Sequence, residues 1–107
     1  MEPSVYHELV EKLLGVFQDN AVRIVLYGSV ARGTPRADSD VDIAVFVRSG
    51  IDAETEDRLS DVIVDLNLKY DRVFSVIDID NDVYSQWRDV TPFYQNMDRE
   101  GIVLWAA

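Results

Sequence analysis

"YGSVARGTPRADSDVDIAVFV" occupies residues 27–47. An apolar run ends at Gly28-Ser29, a basic stretch follows, and Asp40 and Asp42 then head a second apolar run. Aspartate is disfavoured in strands, and a buried carboxylate is costly without a partner. Two of them at the head of an apolar strand need something that neutralises them.

Residues two apart on a strand share a face, with Cα atoms about 6.5 Å apart. Asp40 and Asp42 can therefore converge on cations spaced about 3.5–4 Å apart. Hard oxygen ligands suit Mg²⁺ or Mn²⁺, and Mg²⁺ is commonly held by one or two carboxylates plus substrate phosphates. Gly28 lets a ligand approach the backbone closely. A helical turn with Ser29 as its N-cap would turn free N–H groups toward an anion, and the Ser29 hydroxyl adds a hydrogen bond to a phosphate. Arg32 either meets a phosphate or pins the loop, whereas Arg36 reads as a solvated loop residue.

Taken singly, these features are bland, because a Gly-Ser turn is usually structural and an Asp-x-Asp is usually a cap. Asp38–Asp42 and Asp78–Asp82 both imitate the start of a calcium loop. Each lacks the required sixth-position glycine, with Ile43 and Val83 standing there, so the calcium reading is rejected.

Outward from this stretch the chain alternates. Residues 4–18 predict an amphipathic helix with Tyr6, Leu9, Val10, Leu13, Val16 and Phe17 on one face. Strands are expected at 22–27, 41–47, 73–79 and 102–105, with a loop at 34–39. The strand at 41–47 is apolar on both faces, as one covered on both sides should be. Residues 53–70 repeat Leu59, Val62, Ile63, Leu66 and Tyr70 at helical spacing. A short helix runs through Trp87, and another is framed by a Thr91 cap, Pro92 and a Gly101 stop. The expected fold is α/β (α+β), a mixed sheet flanked by helices, with residues 1–107 as one domain.

Composition narrows the function. A net charge of -10 argues against nucleic acid as a direct partner, although metal-neutralised nucleotides remain open. No apolar run reaches the roughly 20 residues of a membrane span, and the first residues carry no signal-peptide pattern. The chain has no Cys, which removes thiolate metal sites and thiol catalysis and fits a cytoplasmic location.

Gly28-Ser29, ten residues, then Asp40-x-Asp42 on the next strand resembles the polymerase-beta nucleotidyltransferase superfamily. "GSVARG" and "SDVDIAVFV", and more weakly "PFYQNMDREGIVLW", are similar to its minimal nucleotidyltransferase (MNT) branch. The resemblance implies Gly28 and Ser29 as nucleotide-phosphate contacts, and Asp40 and Asp42 as catalytic metal ligands. It implies transfer of a nucleoside monophosphate, AMP from ATP, to a hydroxyl. It also implies an antitoxin in a hetero-oligomer with a HEPN-domain toxin.

Active members usually carry a third carboxylate on a later strand. The register of "VFSVIDID" puts Ser75 at that position. Asp78 is a weak substitute that faces the other way on a regular strand, Asp80 ends the strand, and Asp65 is solvated. A catalytically weak module that neutralises its partner by binding is therefore the alternative, and a small-molecule nucleotidyltransferase is a third reading. His7 reads as surface and Tyr27 and Tyr70 as core. Trp87, Phe93, Tyr94 and Trp105 are left open between core and partner surface.

Overall fold

The computed structural model describes residues 2–34 and 40–107. Arg36, Asp38 and most of the loop expected at 34–39 lie outside them.

Helix α1 (Pro3–Phe17) opens with proline at its first position, where the missing N–H costs nothing. It buries Val5, Leu9, Leu13, Val16 and Phe17. Val5 is the addition to the expected face, while Tyr6 and Val10 are only partly buried. A single 3₁₀ turn at Gln18–Asn20 leads into β1 (Ala21–Tyr27). The short α2 (Gly28–Arg32) follows at once, and then β2 (Val41–Val47).

Helix α3 (Ala53–Tyr70) has the expected bounds. Asp52 caps it, its carboxylate accepting the Thr55 N–H at 2.8 Å. Strand β3 (Phe74–Asp80), α4 (Asn81–Trp87), α5 (Pro92–Glu100) and β4 (Ile102–Ala106) complete the order. Asp80 ends β3 and caps α4, accepting the Asp82 and Val83 N–H groups at 2.9 and 3.1 Å.

The four strands form one mixed sheet in the order β3-β2-β1-β4. β1 is antiparallel to β2 and β4, and β2 is parallel to β3. Side chains alternate across β2. Val41, Ile43, Val45 and Val47 join the cluster built with α1 and α3. Ala44 and Phe46 join a second cluster with Tyr84 of α4 and Met97 of α5. The central strand is thus covered on both faces, as its composition required.

Two expected end signals work differently. Thr91 precedes α5 but makes no side-chain cap, so Pro92 alone marks that start. Gly101 ends α5 with an ordinary negative φ of -70°. It is needed for space instead, because a Cβ there would stand 2.8 Å from Val25 Cγ1. Tyr27 and Tyr70 are half-buried rather than core. Tyr70 points its hydroxyl outward and donates to Glu8 at 2.5 Å. His7 is on the surface, beside Glu11 at 3.3 Å.

Candidate active site

β2 carries Asp42 as its second residue, with partners on both sides. Tyr27, the last residue of β1, pairs with Asp42 across the antiparallel ladder. Ser75 of β3 pairs with it across the parallel one. Paired residues project to the same side of a sheet, so Tyr27, Asp42 and Ser75 form a row on the face that farther along carries Ala44 and Phe46. Asp40 lies just before the strand and is exposed.

Gly28 makes room for the Asp42 carboxylate. Its φ is +76°, a region that side chains disfavour. A Cβ there would overlap Asp42 Oδ2 and lie 3.2 Å from Cγ. The positive φ also starts α2 at Gly28 itself, with Tyr27 in the N-cap position. The expected N-cap role of Ser29 is thereby corrected, since Ser29 is the second residue of the turn. It is half-buried beside Gly28.

The electrostatics join Asp40, Asp42 and Arg32. Burial pushes the Asp42 carboxyl above its ordinary value, the negative charge of Asp40 pushes it further, and the Arg32 guanidinium partly opposes both. The Tyr27 hydroxyl is raised as well, first by burial and then by the charge on Asp42. A half-buried carboxylate repelled by its neighbour and seated over a bare glycine is a donor set that fits a hard divalent cation. Asp40 and Asp42 would hold it.

Arg32 ends α2 and turns toward α5, its Nη1 lying 3.5 Å from Glu100 Oε2. The two border a cleft of about 220 Å³, with Tyr27 and Gly28 on one wall and Phe93 and Asn96 on the other. Phe93 is 45% exposed, and its ring meets that of Tyr27 edge-on at 5.7 Å. Glu100 and Phe93 were not foreseen as neighbours of this site. Glu100 is 68 positions from Arg32, and they meet only because β4 returns beside β1.

Asp78 pairs with Val45 and alternates to the opposite face from Asp42. Among the described residues no group of three or more His, Cys, Asp or Glu is placed to hold a metal ion. Also among them, no helix is long and apolar enough to cross a membrane.

A mixed sheet whose first two strands present Gly-Ser and Asp-x-Asp side by side defines a class. The family model for "Polymerase beta, Nucleotidyltransferase" matches residues 11–106, and the chain belongs to that family. Solved structures with the same fold narrow the comparison. A MntA toxin–antitoxin complex carrying two aspartate-to-glutamate substitutions superposes with a TM-score of 0.65 at 20% identity, over 95% of this chain and 73% of that one. A Shewanella oneidensis complex of a tri-AMPylated HEPN toxin with its MNT antitoxin gives 0.62 at 19% identity, over 100% and 74%. A protein described as a minimal nucleotidyltransferase gives 0.57 at 26% identity, over 95% of both chains. A comparison with curated proteins finds no match.

Proposed function

We propose that residues 1–107 act as one nucleotidyltransferase domain that moves AMP from ATP onto a hydroxyl of a HEPN-type toxin and so serve as its antitoxin. The observation that carries this reading is Asp42, a half-buried carboxylate held over the bare Gly28 backbone, with Asp40 and Arg32 close enough to move its pKa. Packing does not explain a carboxylate there, whereas a cation-bound triphosphate does.

In this reading Asp40 and Asp42 hold Mg²⁺ or Mn²⁺. Bound there, the ion would neutralise the triphosphate and lower the pKa of the attacking hydroxyl. Gly28 lets a phosphate approach the backbone, the Ser29 hydroxyl donates to it, and Arg32 pairs with its charge. The acceptor oxygen bonds to the α-phosphorus, the bond to the bridging oxygen of the β-phosphate breaks, and pyrophosphate leaves. The hydroxyl proton passes to solvent. The MNT antitoxin with a tri-AMPylated toxin and a related toxin–antitoxin structure with AMP-PNP support this choice of substrate and partner. The net charge of -10 suits a basic, RNA-cutting partner, with association that weakens as salt rises.

Ser75 favours a second reading. It stands beside Asp42 where a carboxylate would complete the site, and serine supplies neither charge nor base. The chain would then bind nucleotide and partner with little turnover and silence the partner by covering it.

Co-expression with the product of the adjacent gene, followed by intact-mass measurement of that product, separates the readings. Added AMP mass supports transfer. Stable binding without added mass supports occlusion. Neither, with ATP and Mg²⁺ present, overturns both.

A further inference from the structure

Arg32 has two competing claims on its single charge. It lines the same cleft as Tyr27 and Gly28, and it pairs across that cleft with Glu100 at 3.5 Å. Both side chains of the pair are partly open to water, at 47% and 34% exposure, so the contact is weak and exchangeable. Glu100 is also the last residue of α5, where the helix dipole disfavours a negative charge. Its other oxygen lies 3.9 Å from Arg99 Nη2, so Glu100 keeps a cation if Arg32 leaves.

We propose that Glu100 is a positioning residue that competes with the nucleotide's phosphates for Arg32: it stations the guanidinium at the rim of the cleft and yields it to a phosphate, thereby setting the affinity for triphosphate. The inference rests on the nucleotide reading of the site and deepens it. An arginine prefers a phosphate it can grip through two N–H groups to a single-contact, solvent-exposed carboxylate. The exchange therefore favours nucleotide, and Glu100 subtracts from the gain.

The test is a double-mutant cycle read by calorimetric titration with AMP-PNP and Mg²⁺, using the full chain, Arg32→Ala, Glu100→Gln and the double variant. Thermal melts confirm that each is folded. Glu100→Gln is expected to tighten binding about two- to fivefold, the factor an exposed ion pair represents. Arg32→Ala weakens binding, and adding Glu100→Gln to it changes nothing further. An equal gain in the Arg32→Ala background would mean that removal of a nearby negative charge suffices, which overturns the proposal. So would no gain at all in a wild-type chain that binds. A wild-type chain that does not bind AMP-PNP overturns the nucleotide reading itself, and the inference with it.

Discussion

The two ends of β2 lie on one strand and behave as different materials. From Ala44 to Val47 every residue is buried to 1% exposure or less. Two residues earlier on the same face, Asp42 is half-open and charged. The difference comes from what each end faces. Phe46 lies under the Tyr84 ring, edge-on at 4.8 Å, with the Arg23 guanidinium 4.3 Å above its own ring. Asp42 lies beside Tyr27, Ser75 and the bare Cα of Gly28. One end is explained by burial alone. Under the proposed reading the other holds a ligand, and function then lies where stability has been given up.

If the comparison is right, substitutions should separate along the strand. The largest effect on stability belongs to the buried end. Phe46→Ala would leave a cavity between β2 and α4 and remove one of the two rings beneath the Arg23 guanidinium, at a cost of about 3–5 kcal/mol. Chemical denaturation measures it, and a loss below 1 kcal/mol would break the contrast.

Gly28→Ala comes next. The new methyl would meet a φ of +76° and the Asp42 carboxylate together. Backbone strain of this kind costs about 1–3 kcal/mol. Relief requires Asp42 to turn away, so nucleotide binding should fall more than the stability loss alone accounts for. Titration of the folded fraction with AMP-PNP checks this.

Ser75→Asp sharpens the comparison at the charged end. A third carboxylate beside Asp42 should cost about 1 kcal/mol from like-charge repulsion at close range. Added Mg²⁺ should restore the loss, visible as a larger metal-dependent thermal shift than in the wild type. If the shift does not grow while Asp78→Ala abolishes the wild-type one, the site is completed from elsewhere.

How much of this was legible follows the same division. The bounds of α3 could be read from its apolar repeat, because a surface helix writes its burial into its periodicity. The Gly-Ser and Asp-x-Asp juxtaposition was legible because adjacent strands bring their neighbouring ends together. The resemblance put Ser75 at the third-carboxylate position, and the parallel ladder sets it opposite Asp42. What failed were effects that depend on backbone angles or on distant chain. Ser29 lost its cap role to the positive φ of Gly28. Val5 displaced Tyr6 from the buried stripe, which runs through positions 5, 9, 13, 16 and 17. No local pattern announces Glu100 beside Arg32, because that contact exists only once β4 has paired with β1.

The smallest stability effect is also the most diagnostic. Asp42 has its carboxyl raised in the folded protein, by burial first and by Asp40 second, against the weaker pull of Arg32. The folded state therefore holds the proton more tightly than the unfolded state. Stability falls as pH rises from the ordinary aspartate range through the raised folded value, and the penalty is fully present at neutral pH. Asp42→Asn removes the charge and with it the penalty. Because the group is partly solvated, the gain at neutral pH should stay well under about 1 kcal/mol. It should vanish on the acid side, where the wild-type carboxyl is protonated in both states. The same substitution should abolish Mg²⁺-dependent nucleotide binding. Urea denaturation across the acid range, paired with AMP-PNP titration, reads both. A variant slightly more stable at neutral pH and unable to bind nucleotide is what a ligand-holding carboxylate requires. A variant less stable at neutral pH, with binding intact, would return Asp42 to the ranks of structural residues and erase the difference between the two ends of β2.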